Sequence, residues 1–272
     1  MRKSFVTKVK ALAMALAVFS SVFAANPETA KAESNINLNQ LYTISTTGVE
    51  KLDYSFQTPQ SGYFRVRAAI TDYRYLDGGK DVLGSARVKL VYDYTNYLEA
   101  YLSDSDGYKT SPNYSLPAGK TVKLSFDCLN TNRKYTLSFV VETQSPANFE
   151  KEYNDTSSKA NKIKVKKSYS GIINGDNVND VDWYVFKAPK TGNYKFSVVN
   201  TSEDDWLNYF YVTGYKSKHS PDSKYPESLV SAGNGWYKSK KIRLKKGKKY
   251  YIKINNGSRA SSSYIVRATK VK

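Results

Sequence analysis

One run of alternating residues occurs twice in this chain, 130 positions apart, and that repetition constrains the fold more than any other feature. Leu52 to Val66 reads LDYSFQTPQSGYFRV; Asp182 to Phe196 reads DWYVFKAPKTGNYKF. Tyr54, Phe56, Pro59, Gly62, Phe64 and Val66 keep the spacing of Tyr184, Phe186, Pro189, Gly192, Tyr194 and Phe196. A second pair of motifs follows in the same order: Leu116, Gly119, Lys120 and Leu124 match Leu244, Gly247, Lys248 and Ile252, at an offset of 128. Solenoid units repeat every 20 to 50 residues or so, so a period this long means whole domains of one topology in tandem.

Within the second copy, Asp182, Tyr184 and Phe186 fall on every second position after Asp180. An extended strand puts them on one face and Trp183 and Val185 on the other. Pro189 and Thr191-Gly192 supply a turn, and Tyr194, Phe196 and Val198 resume the alternation. The result is a hairpin with an acidic mouth and an aromatic inner face. Similar short runs recur at Arg87–Tyr94, Thr121–Phe126, Tyr135–Val141, Tyr169–Ile173, Leu207–Val212, Tyr250–Ile254 and Tyr264–Ala268, each bounded by Gly, Asn, Pro or Ser. Helical periodicity is nearly absent. The expected fold is all-β: two tandem jelly-roll-like β-sandwich domains, residues 33–145 and 146–272, joined through the linker-like Gln144 to Asn148.

Residues 1–32 read as a signal peptide, with a basic head (Arg2, Lys3, Lys8, Lys10), an apolar core from Ala11 to Ala25, and cleavage sites after Ala24 or Ala32. That core is short for a membrane span, and no later stretch could make one. A secreted, extracellular protein is expected. Cys128 is the single cysteine; it cannot form a disulfide within the chain and reads as a small core residue. Export without disulfides suits a Gram-positive cell. The formal charge is +18 for the whole chain; the first 32 residues carry five Lys/Arg and one Glu, which leaves +14. Lys162, Lys164 and Lys166, and the dense run Lys238 to Lys249, have two readings. They are solvated faces that protect strand edges, or they draw the protein to an anionic polymer such as a cell wall or acidic polysaccharide. No nucleic-acid-binding motif is present.

Chemistry concentrates just before the second copy. In Phe149 to Thr156 (FEKEYNDT), Glu150, Glu152 and Asn154 share one side of an extended segment and Asp155 follows. Asp180 and Asp182 could complete a shell of oxygen donors, the ligand type that calcium takes six to eight at a time. No cluster of Cys and His favours zinc or softer metals. The plain alternative is a charged linker with Asn154 or Asp155 capping a turn. Asp104-Ser105-Asp106-Gly107 resembles the opening of a calcium loop. Ser115 occupies the twelfth position, where glutamate is needed, so that stretch reads as a turn.

The ordered pattern ExExND, a basic alternating strand, Gly171-Ile172-Ile173, DxDWYxF, PxxGxY and LxxGKxYYI resembles the bacterial pre-peptidase C-terminal domain, and is similar to the collagen-binding modules of clostridial collagenases. The resemblance covers about Phe149 to Val271, with a diverged copy at about 35–145. It implies a jelly-roll sandwich with calcium held by Glu150, Glu152, Asn154, Asp155 and Asp182, and less securely Asp180. It also implies ligand contact through Tyr250 and Tyr251. Where collagen-binding modules continue with tyrosine, this chain has Ile252-Lys253-Ile254-Asn255-Asn256. In the first copy Leu52 stands in place of Asp182 and Ser34 to Gln40 replaces the acidic linker, so a sandwich without a metal is expected there.

His219 is the only histidine, and no nucleophile elbow accompanies it. Glu203-Asp204-Asp205 beside Trp206 is the place where a pair of carboxylates could cleave glycosides, and Trp206 is also a candidate ligand contact. Three functions follow from the sequence. The first is a non-catalytic, calcium-braced protein that binds an extracellular polymer or protein surface. The second is an inhibitor or propeptide-like partner of a secreted peptidase, and the third is a glycan-active enzyme.

Overall fold

The computed structural model describes residues 28–29, 34–79, 84–175, 180–202, 210–215, 227–233, 235–256 and 261–272. Their regular secondary structure is β-strand, in four sheets, apart from one short 3-10 turn. No helix among them is long and apolar enough to cross a membrane.

The strand order is the same in the two halves. In the first, Tyr42–Thr47, Arg133–Gln144 and Tyr63–Tyr75 lie side by side in one sheet, and Glu50–Gln57, Thr121–Cys128 and Ser85–Tyr92 in the other. In the second, Ser168–Ile173, Ser262–Val271 and Gly192–Asn200 repeat the first trio; Val181–Lys187, Lys249–Asn256 and Phe210–Tyr215 repeat the second. Even a minor strand is repeated. Ser34–Asn35 runs parallel to Glu50–Gln57 with Ser34 opposite Tyr54, and Asn161–Ile163 runs parallel to Val181–Lys187 with Asn161 opposite Tyr184.

Alternation explains how each half closes. Tyr54, Phe56, Phe64 and Val66 turn into one apolar cluster, and Tyr184, Phe186, Tyr194 and Phe196 into another. Phe139 is the hub of the first, against Tyr42, Tyr54 and Phe126. Phe196 is the hub of the second, against Phe186 and Tyr250. Cys128 lies in the first cluster, and burial pushes its thiol up to about 12. The Asp104–Asp106 segment is a single 3-10 turn ended by Gly107 at φ 64°, which agrees with its reading as a turn.

One expected strand is shorter than its pattern. Ile163 pairs alongside Phe186 in one sheet, whereas Val165 bridges to Ala268 in the other. The alternating lysines at 162–166 therefore sit on a crossing between sheets, not on one strand. Trp206, Glu203, Asp204, Asp205 and His219 lie outside the described residues, as does the expected signal sequence up to Pro27.

Two separate cores lead to a simple test. Phe139→Ala and Phe196→Ala should each cost about 3–5 kcal/mol, the usual penalty for emptying a buried aromatic site. All three tryptophans lie beyond residue 180. In urea titrations of calcium-free protein, tryptophan emission should therefore shift its midpoint for Phe196→Ala and hold it for Phe139→Ala. Far-UV circular dichroism should register both.

Candidate metal centre

The linker between the halves is stitched into the second one. Phe149 bridges in parallel to Ser170, and Glu150 N donates to Ser170 O at 3.0 Å. Four residues on, Trp183 N donates to Asn154 O at 3.0 Å. The segment thus passes from the Ser168–Ile173 strand of one sheet to the Val181–Lys187 strand of the other. It crosses the open end of the sandwich where Asp182 enters the core.

Glu150, Glu152 and Asp182 converge there, with one ligand oxygen from each lying within 4.8 Å of the others. Two ligands of one calcium ion, each at about 2.4 Å, can stand no further apart than that. Glu150 is held by four donors: Ile172 N at 2.6 Å, the hydroxyls of Tyr264 at 2.7 Å and Tyr184 at 3.0 Å, and Asn154 Nδ2 at 3.4 Å. Tyr264 also reaches Asp182 Oδ2 at 2.6 Å. Gly171 makes this packing possible: a Cβ there would stand 2.3 Å from the Tyr264 hydroxyl and 2.5 Å from Glu150 Oε2. The glycine of the G-x-I motif is thus a steric requirement of the acidic cluster.

Three oxygens in the cluster have no hydrogen-bond donor: Glu152 Oε1, Asn154 Oδ1 and Asp182 Oδ1, all buried. Leaving such groups unpaired costs about 1–3 kcal/mol each, and more when they are charged. Among the described residues no lysine or arginine forms an ion pair with Glu150, Glu152, Asp180 or Asp182. Burial pushes Glu150 and Asp180 up to about 7. Burial first, and then the neighbouring negative charges, drive Glu152 and Asp182 well above the carboxylate range. All the donors are hard oxygens, so the set fits calcium better than a softer metal.

The six expected ligands divide into groups. Glu150, Glu152 and Asp182 form the focus, and Asn154 joins them through Glu150. Asp180 turns aside, its Oδ2 accepting from Asn174 N at 2.6 Å and from Asn174 Nδ2 at 2.8 Å. With Asp155 it lines a cavity next to the cluster. The residue equivalent to Asp182 in the first half, Leu52, is buried in its apolar core.

No protein-family model matches the chain, and no curated protein does. Solved structures do match. The pre-peptidase C-terminal domain of a collagenase from Bacillus anthracis is 19% identical over 40% of this chain and 94% of that one, with a TM-score of 0.32. The CUB1-EGF-CUB2 domain of human MASP-1/3 is 9% identical over 85% of this chain and 100% of that one (TM-score 0.23). The PBSX exported protein XepA is 11% identical over 86% and 88% respectively (TM-score 0.25). These likenesses are of fold alone.

The expected ligand contacts fare unequally. Tyr250 is a correction: its ring points inward, fully buried and stacked on Phe196 with centroids 4.3 Å apart. It stands one position out of phase with the outer face, so it is a core residue. Tyr251 has the outward phase and is packed under Trp183, whose ring also stacks on Tyr215 at 5.4 Å with Lys253 Nζ 5.9 Å from its centroid. Sequence reading did not single out Trp183, Tyr215 and Lys253 as a group. The clue was present in the alternation, which sets Trp183 opposite Asp182 and Tyr184, but the pairing across three strands was not.

The raised carboxylates make a signed prediction for protein kept in EDTA. Each acid binds its proton more tightly folded than unfolded. Their contribution is therefore fully present below about pH 4, the unfolded value, and is lost as pH rises through about 7. Melting temperature in EDTA should fall across that window, and Asp182→Asn should flatten the fall. A flat profile in the parent protein would contradict the burial of these charges.

Proposed function

We propose that the chain is an extracellular, non-catalytic binding protein whose second sandwich is braced by calcium. The observation that carries the reading is the group of buried, donor-less oxygens on Glu152, Asn154 and Asp182, gathered with Glu150 where no basic side chain among the described residues neutralises them. A divalent cation would satisfy those oxygens and cancel much of their repulsion at once. It would be held by Glu150, Glu152 and Asp182 with the Asn154 amide, its role structural.

The binding face belongs to the same sandwich. Trp183, Tyr215 and Lys253 form an aromatic and cationic group on the outer side of the Val181–Lys187 sheet, and Tyr211 stands exposed beside them. Rings of this kind present large, rigid contact area to sugars or proteins. The surplus of +14 outside the signal sequence supports long-range attraction to an anionic extracellular polymer.

Calcium at about 100 times its Kd should stabilise the folded state by about 2.7 kcal/mol, roughly 10 °C in Tm for a domain of this size. Differential scanning calorimetry should find that gain largely gone in Asp182→Ala; a full calcium response in the variant would refute the assignment. In pull-downs on insoluble cell wall, chitin, cellulose and collagen, Trp183→Ala should cut retention at least tenfold. Retention on none of them, alongside a stoichiometric complex with a secreted peptidase, would replace the polymer reading with that of a peptidase partner.

A further inference from the structure

The second sandwich has another outer face, on the sheet that does not contain Trp183. There Ser168–Ile173, Ser262–Val271, Gly192–Asn200 and Trp236–Lys238 lie side by side. Phe196, Val198, Val266 and Ala268 turn into the core, so Ser197 and Arg267 between them face outward. Pairing sets Ser168, Arg267, Ser197 and Lys238 in one row across the four strands.

The cations of this row are drawn toward one ring. Arg267 and Lys238 flank Ser197, about 10 Å apart at Cα, which is two strand spacings. Arg267 Cζ is 6.0 Å and Lys238 Nζ 5.5 Å from the centroid of Trp236, two residues from Lys238 on the same strand. Arg267 Nε also donates to Ser168 Oγ at 2.7 Å, which leaves the fork of its two Nη groups for another partner. Lys195, exposed two positions before Ser197, adds a third charge. Among the described residues none of the three forms an ion pair.

The first half shows that the fold does not require this. Phe64 and Val66 correspond to Tyr194 and Phe196, so Arg65 and Arg67 correspond to Lys195 and Ser197. The strand neighbour of Arg65 is Glu142, whereas that of Lys195 is Thr269. Buried Glu142 takes both arginines, at 2.8 Å from Arg65 Nε and 3.5 Å from Arg67 Nη1. The first half neutralises its own cations on this face; the second presents them to solvent.

We propose that this face binds an anionic polysaccharide, with Arg267 and Lys238 holding one of its oxyanion groups over Ser197 and Lys195 meeting a neighbouring one. The guanidinium fork matches such groups bidentately. Trp236 is a positioning residue that holds both cations by attraction to its ring. Ser197 and Thr269 set hydroxyls among the charges, where a sugar has hydroxyls to pair with them. A nucleic acid strand needs ring faces for its bases, and the ring here is engaged by Arg267 and Lys238. The proposal rests on reading the chain as an extracellular binding protein, and it involves neither the metal centre nor Trp183.

Isothermal titration of the full mature chain with heparin oligosaccharide, at about 0.15 M salt, tests the assignment. Arg267→Ala should bind about tenfold more weakly, the loss of one charge-assisted contact. Thr269→Glu should do the same, because it restores the first half's acid at the matching position. Trp236→Ala should weaken binding about threefold and Trp236→Phe should restore it. Lys123→Ala removes an exposed charge from the first half and should change affinity less than about twofold. Equal losses in Arg267→Ala, Thr269→Glu and Lys123→Ala would overturn the site in favour of diffuse charge. Tighter binding of single-stranded DNA or polyglutamate than of heparin would overturn the polysaccharide. No heparin binding by the parent overturns this face alone if insoluble polymers still retain the protein through Trp183, and the binding-protein reading with it if they do not.

Discussion

Burying like charges together is the constraint on which the second half of this molecule is built. Three carboxylates, those of Glu150, Glu152 and Asp182, meet at one end of a sandwich with Asp180 turned aside next to them, and their environment is arranged to tolerate them. Tyr184 and Tyr264 bring hydroxyls from both sheets to Glu150, Gly171 leaves room for that contact, and Asn174 holds Asp180. Hydrogen bonds meet only part of the demand, since Glu152, Asn154 and Asp182 each keep a bare oxygen. A buried charge left without a partner is among the costliest features a core can carry. Two carboxylate oxygens and one amide oxygen are in that position here, and a cation is what the proposed function supplies to them.

The two halves show what that arrangement replaces. They share strand order and the register of a minor parallel strand, and their aromatic cores align. At one inward position the first half has Leu52 and the second Asp182. In the first half the inward row Leu52, Tyr54 and Phe56 carries no charge; in the second an acidic end is cut into the same scaffold, and the hydroxyls of Tyr184 and Tyr264 line it. Topology and chemistry are thus separable in this chain.

Much of the architecture was legible in the sequence because strands alternate and the motifs recur at fixed spacing. The inward phase of Tyr54, Phe56, Tyr184 and Phe186 could be read directly, as could the turns at Gly62 and Gly192. The cluster was legible as a composition, six oxygen donors flanking two segments. Which of them converge was not. Asp180 and Asp182 share a face in an ideal strand, but Asp180 lies before the first strand residue, Val181, and is drawn off by Asn174. Strand Thr95–Ser103 was missed because its buried positions do not alternate cleanly. Tyr250 was misread because neighbouring tyrosines look alike in a motif, while a one-residue step reverses the face. The contact of the Ser115 backbone with the Asn174 side chain could not be read at all, since it links residues 59 positions apart.

The course of the linker has a consequence for how the chain withstands a protease. A protease must draw an extended stretch of backbone into its cleft before it can cut. Lys151 is exposed, yet its N–H and carbonyl are both clamped by the Asn161 side chain at 3.1 Å. Glu150 on one side and Asn154 on the other are anchored in the sandwich end. Freeing this stretch for cleavage means dismantling the acidic cluster. Resistance to nicking at the junction is therefore set by whatever holds that cluster together.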